Sequence, residues 1–437
     1  MIVIYSEISS KRFEYVAKEL LENMHNIKCE LIYDIKEFSK YPTEGKICYS
    51  KEDKGIGIHI KPQGLLEKKD IRQLDIRIAG NGKDTKMFIT ECEFGMDIFS
   101  ASFYMLTRYE EYIDTRRDQH GRYIAENSIA TKNDFLEEPI VDIWTKKLID
   151  QIETKFPGST ANRRKYRFVP TIDVDNIYAY RNKFPLITIY NLIKDAANGK
   201  WEFCKERLKA ILRIADDPFF NLMEIAERHK HYGHETMMFL HCGCYGKNDK
   251  KTWLPSLSYM STKRQLSKKI CLGLHPSYRN AHSKAGLKIE KWAFEKTSGC
   301  TATKCRSHYL RFDITKDYKM LEELGFEHDY SMGYSNNPGF RAGTSIPFHY
   351  YDLKEERISV LTVHPLAVMD KTLRSNLGLT AEQAKNKIKE LAQKVEETEG
   401  EFVTLFHNEN QTKSAKFGWN GWIEMYDQIL LELTHAK

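Results

Sequence analysis

The sequence predicts an α/β protein in which a parallel sheet, open or closed into a barrel, follows a smaller N-terminal α/β domain. Three observations predict it. From residue 167 onward, short apolar runs alternate with amphipathic helical patterns, the rhythm of parallel strands joined by crossover helices. The 437 residues exceed one ordinary domain and favour two. Pro157-Gly158-Ser159-Thr160 supplies a turn-rich boundary, so domains are expected at residues 1–160 and 161–437. The basic cluster Arg163-Arg164-Lys165 beside it reads as linker.

In the N-terminal part, MIVIY and KMFITE are expected strands, and KRFEYVAKELLENM and IFSASFYMLTRYEEYI are expected helices. The strands are short apolar runs, and the helices carry apolar positions three or four apart. A polar stretch at 118–122 and another at 133–138 precede a helix at 141–152. Beyond the boundary, strands are expected at 167–171, 236–241, 270–274, 303–308, 359–364 and 402–407. Helices fit between them at 203–215, 220–229, 284–296, 316–323 and 381–397, with a last one from Trp422.

A hydrophobic content of 41% with 12% aromatics is that of a globular chain with a large core. The net charge of +6 is mild, its signs are mixed, and no basic run is interleaved with aromatics. That pattern excludes a nucleic-acid groove as an expectation. No stretch is apolar enough to span a bilayer, and the first residues lack the features of a secretory signal. Nine scattered cysteines do not form a disulfide framework. The expected setting is the cytoplasm, with reduced thiols.

Active sites of parallel α/β folds gather at the carboxyl ends of the strands. Here those ends carry Asp173, His241, His275, His308, His364 and His407. Asp173 and Asp175 share a face of a continuing strand; one can hold a cation while the other stays free as a base, and alone the pair reads equally as an Asx-turn. His275 precedes Pro276, which ends the strand. Together with His407 these residues make a His/carboxylate shell for a divalent ion such as zinc, with room for water.

The order TIDVD, strand-end His, Arg-x-x-Tyr, Leu-x-His resembles the polysaccharide (NodB-like) deacetylases, carbohydrate esterase family four, over residues 165–437. A divergent bacterial subgroup is similar in more detail, through GLHPSY at 273–278, RSHYLR at 306–311, DYSMG at 329–333, PGFRAGT at 338–344 and HNE at 407–409. Residues 97–127 resemble the N-terminal domain that accompanies it. The resemblance implies a C-terminal (β/α) barrel, a divalent metal, and hydrolysis of an N-acetyl amide. It implies Asp173 as general base, Asp175 and His275 as metal ligands, and His407 as general acid. The family's second motif has a further His four residues after the first, where this chain has Arg279, which cannot ligate a cation. His308 replaces the third motif's Pro, and in an extended segment it shares a face with Arg306. His308 is therefore expected to supply the missing ligand, with Arg306 orienting Asp173 and His282 the competing ligand. Tyr309 is the motif's substrate-side Tyr; the fourth motif's aromatic falls within 329–334, with Tyr334 the candidate.

Other features are less directive. Arg341, on a Gly-flanked loop, reads as substrate-binding or as structural pairing. Cys242-x-Cys244 is too tight for a zinc knuckle with Cys300 and Cys305. His229, His231 and His234 read as a helix cap, and Trp419 and Trp422 as core. The expected function is removal of N-acetyl groups from a glycan or glycan precursor, by a metal-dependent hydrolase binding an N-acetylated sugar. Two other readings are a glycan-binding or scaffolding relative without activity, motivated by Arg279, and a metal-assisted amidohydrolase acting on a small non-glycan amide.

Overall fold

In the computed structural model, residues 1–41, 45–160, 164–243, 246–249 and 257–433 are described. Arg163 of the basic cluster and Cys244 of the cysteine pair lie outside them.

The first apolar run forms β1 (Ile2–Ser6), fully buried, at the centre of a parallel four-stranded sheet. Its partners are β2 (Cys29–Ile32), β3 (Gly45–Tyr49) and β4 (Ile58–Ile60), in the order β2-β1-β3-β4. None of these three was legible as a strand. Ser10 opens the helix Lys11–Lys18 by accepting from the Phe13 N–H. Every side chain of the helix Ile98–Leu106 is buried. Asp97 caps it and also accepts from the Tyr49 hydroxyl and the Gln63 N–H. Of the expected KMFITE strand only β6 (Lys86–Met87) is extended, paired antiparallel with β5 (Ile78–Ala79). The last expected helix of this part is Ile140–Lys155.

The second sheet has nine strands. They are β7 (Arg167–Val174), β8 (Met237–His241), β9 (Cys271–His275), β10 (Lys304–Cys305), β11 (His328–Asp329), β12 (Phe348–Asp352), β13 (Arg357–Val363), β14 (Val368–Met369) and β15 (Glu401–His407). Their order is β12-β13-β11-β10-β9-β8-β7-β15-β14, parallel except for the β12–β13 hairpin. The order runs from β12 to β14, and no pairing between these two ends is seen among the described residues. Pro170 sits inside β7 without an N–H to give, and the neighbouring Thr171 hydroxyl donates to the Thr404 carbonyl at 2.5 Å.

Register carries function. Asp173 stands opposite His407 and Phe239, and His241 opposite His275. Parallel strands end on the same side, so these side chains converge on one mouth. The expected strand 303–308 is extended only at Lys304–Cys305, because the chain turns at Tyr309 (φ 63°) and Leu310 (φ 50°). The expected helix 203–215 is Trp201–Ile211, and a further helix, Pro185–Ala197, precedes it.

The main apolar core runs from Ile2 to Leu430, beside two smaller clusters around Phe239 and Tyr5. Buried polar links join the two sequence halves: Arg12 to Glu356 at 2.5 Å, the Tyr15 hydroxyl to the His349 carbonyl at 2.8 Å, and Arg341 to Glu111 at 2.6 Å.

Candidate metal centre

The mouth is built from β7, β9, β15 and the turn after β10. His275 closes β9, and its Nδ1 lies 2.6 Å from the Arg306 carbonyl. A carbonyl only accepts, so Nδ1 carries a proton and Nε2 is the atom left to ligate an ion. Nε2 faces Asp175 Oδ1 at 3.2 Å, and both atoms are buried without a hydrogen bond. Buried polar atoms left this way are rare, and a cation satisfies both at once.

His308 repeats the device. Its Nδ1 is 3.0 Å from Asp249 Oδ1, and its Nε2 is 3.5 Å from Asp175 Oδ2. Burial works against its imidazolium, but Asp175 and Asp249 outweigh it and raise the pKa to about 9. Asp249 also accepts the N–H groups of Tyr278 (2.7 Å) and Arg279 (3.1 Å). Against its burial, these bonds and His308 hold it below the usual carboxylate range. Among the described residues, Asp175, His275 and His308 bring ligand atoms within 4.8 Å of one another, as do His241, Asp249 and His308. Asp249 already accepts from three donors, so the first group keeps the more open carboxylate. A ring N–H given to a carboxylate or carbonyl is the usual support of a metal-bound imidazole. The residues fit a divalent ion.

Asp173 accepts from Arg306 Nη1 at 2.9 Å, and its other oxygen lies 3.7 Å from His275 Nε2. Arg306 is fully buried, donates also to Thr171 Oγ1 (2.7 Å) and the Tyr330 carbonyl (2.9 Å), and stacks 4.4 Å over Phe239. His407 Nδ1 is 2.8 Å from Asp370 Oδ1, and its Nε2 is 3.9 Å from Asp175. Burial and Lys371 disfavour its charged form, but Asp370 and Asp175 prevail and raise its pKa. Asp370 also accepts the His407 N–H and the Asn410 amide.

The sequence-predicted residues Asp173, Asp175, His275, His308, Arg306 and His407 thus stand together, with Tyr309 at the rim. Tyr309 is 41% exposed, has a left-handed backbone, and lies 4.7 Å from the His308 ring. That conformation is uncommon for a non-glycine and tends to mark functional sites. His282 is elsewhere, paired with Asp317 at 2.8 Å. Arg341 and Tyr334, expected as substrate-binding candidates, sit in an internal polar network. Arg341 is buried against Glu111 and the Gly333 carbonyl, and Tyr334 accepts from Arg108. Their polar atoms are committed to this internal network.

Sequence reasoning missed Asp249, Asp370 and Lys371. Asp370-Lys371 follows the apolar run LAVM at the end of β14, the same strand-end signal that marks His407. Lys371 Nζ lies 3.3 Å from Asp175 Oδ2 and 3.2 Å from Glu409 Oε1. Burial disfavours its charge, but those carboxylates hold its pKa above the ordinary value. Lys371 and His308, against the effect of burial, hold Asp175 well below the usual carboxylate range.

Residues 2–157 match a family model described as a family of unknown function, DUF7033. No curated protein matches the chain. Among solved structures, a candidate polysaccharide deacetylase from Mycobacterium smegmatis is 13% identical, with a TM-score of 0.42 over 62% of this chain and 85% of that one. The Puue allantoinase is 10% identical, with a TM-score of 0.37 over 64% and 92%. A mutant of a CE4-family pseudoenzyme with restored enzymatic activity is 12% identical, with a TM-score of 0.28 over 62% and 69%. Likeness at this level leaves the site to be read from its own geometry.

Proposed function

We propose that the chain is a metal-dependent hydrolase that removes N-acetyl groups from a glycan or glycan precursor. One observation carries the reading: the Nε2 atoms of His275 and His308 converge on Asp175 inside a buried mouth, while their Nδ1 atoms are engaged by the Arg306 carbonyl and Asp249. Asp175, His275 and His308 would hold the ion, zinc by ligand type. When bound, it supplies polarisation of the acetyl carbonyl and of a water.

The remaining steps belong to this chain. Arg306 fixes one oxygen of Asp173 and leaves the other toward the mouth, where it takes a proton from water. A backbone N–H near Tyr309 donates to the oxygen that gains charge. His407, its pKa raised by Asp370 and Asp175, gives a proton to the departing sugar amine. Residues 1–160 are read as an accessory domain and residues 161–437 as the deacetylase-like domain, supported by the family match that stops at 157. A cytoplasmic setting, read from the cysteine pattern, goes with a precursor substrate; the eight described cysteines are free thiols.

Acetate release from chitooligosaccharides and UDP-N-acetylhexosamines, compared with simple amides, tests the reading. Release from the sugars is expected; release from simple amides alone would move it to an amidohydrolase. A second reading has one specific observation in its favour: the Lys371 ammonium already neutralises Asp175. On that reading the site is a metal-free binding module, and zinc titration of the purified protein separates the two.

A further inference from the structure

Past Asp175 the chain leaves the carboxyl end of β7 and forms a helical hairpin, Pro185–Ala197 and Trp201–Ile211, that the proposed chemistry does not use. The first helix buries none of its residues. Of the 21 large hydrophobic side chains exposed among the described residues, 11 lie between Phe184 and Ile214. Leu186, Ile189, Tyr190 and Ile193 follow one another at positions i, i+3, i+4 and i+7, with Leu186 67% and Ile193 64% exposed. That spacing makes a single apolar stripe. Trp201 and Leu212 extend it on the second helix, 62% and 65% exposed. Apolar patches of this kind on soluble folds mark interaction sites.

The hairpin is anchored, so its exposure is not that of a detached segment. Arg207 pairs with Asp195 at 2.8 Å and stacks 4.8 Å over Tyr180, Lys416 reaches Asp195 at 2.9 Å, and Glu206 accepts from Tyr180 and Ser414.

Charge identifies the partner. Between Arg181 and Ala215 eight Lys and Arg stand against three Asp and Glu, an excess of five, while the whole chain carries +6. Lys194, Lys200, Lys205, Lys209 and Arg213 are exposed beside the apolar stripe. Two copies meeting through this face would bring like charges together. A surface that is apolar beneath and anionic at its boundary meets both demands, and Trp and Tyr favour such an interface.

We propose that this hairpin docks on an anionic lipid bilayer surface, lying in the interface with its apolar stripe toward the acyl chains and its lysines among the headgroups. The hairpin starts ten residues after Asp175, and Lys183 Nζ donates to Asn176 Oδ1 at 3.3 Å. Docking therefore holds the mouth beside the lipid surface.

Co-sedimentation of the full chain with phosphatidylglycerol/phosphatidylcholine vesicles, and with phosphatidylcholine alone, tests this. Two double variants at exposed positions accompany it, Ile189→Glu with Ile193→Glu and Lys200→Glu with Lys209→Glu, with circular dichroism to confirm folding and light scattering to give the oligomeric state. We expect binding to the anionic vesicles that weakens with salt, and a loss of roughly tenfold or more in each folded variant, since each basic residue near such a surface contributes roughly fivefold. Absence of binding by the unmodified chain overturns the proposal, as does binding unchanged in both variants. A stable dimer that the same substitutions dissociate, without vesicle binding, assigns the face to a second copy and equally overturns it.

Discussion

Replacing Asp249 by Ala removes the acceptor of three donors: His308 Nδ1 at 3.0 Å and the N–H groups of Tyr278 and Arg279 at 2.7 and 3.1 Å. The first bond fixes which ring nitrogen of His308 faces Asp175; the other two tie down the turn after β9. A hydrogen bond to a charged acceptor contributes about 1.5–3 kcal/mol. Loss of the His308 support alone therefore weakens the ligand set by that much, or about ten- to a hundredfold in affinity at ~1.4 kcal/mol per decade. Outer-shell partners of metal-bound imidazoles show losses of the same size. Calorimetric titration of metal-free protein with zinc reads the affinity, and thermal unfolding without metal separates it from the stability lost with the two backbone donors. Asp249→Asn, which keeps an acceptor oxygen, should recover part of the affinity. His282→Ala should leave it unchanged. A folded Asp249→Ala protein that binds zinc as tightly as the unmodified chain would refute the assignment of His308 as a ligand.

Further outcomes follow from the same geometry. Asp173→Asn should retain metal but lose acetate release by about 10²–10⁴-fold, the usual weight of a general base; unchanged turnover contradicts its role. Arg341→Met leaves the buried Glu111 with Arg108 as its remaining ionic partner (2.8 Å) and should cost about 3 kcal/mol in a urea melt, with KM for an N-acetylated sugar unchanged. A raised KM at unchanged stability would restore Arg341 to the substrate site. Burial lowers His229 to a pKa of about 3 and His25 to about 4. The unfolded chain takes up these protons first, near pH 6.5, so the stability is whole above that value and falls as pH drops, by about 1.4 kcal/mol per unit for each group. A urea midpoint flat between pH 6.5 and 4.5 contradicts this.

The sheet strands that carry the site were legible because each is an apolar run stopped by a polar residue that its burial alone does not explain. β9 and β15 end on His275 and His407, and Asp173 stands next to last in β7, for that reason. Strands β2 to β4 escaped because CELI, GKICY and IHI mix charges with apolar residues over three to five positions, too few to show a period. The helix Pro185–Ala197 escaped although its apolar positions have helical spacing, because residues 184–193 also read as one nearly continuous apolar run. Asp249 and Asp370 act through partners 59 and 37 residues away, and no local spacing announces such a pair. Arg341 reads from its Gly-flanked loop as substrate-binding or as structural pairing, and the fold shows Glu111, 230 residues upstream, paired with its guanidinium.

Metal stoichiometry after zinc reconstitution and desalting decides whether Asp175, His275 and His308 hold an ion. One ion per chain is expected, removed by chelators and absent from Asp175→Ala. A folded chain that takes up no divalent ion, leaving Lys371 as the cation beside Asp175, would contradict it.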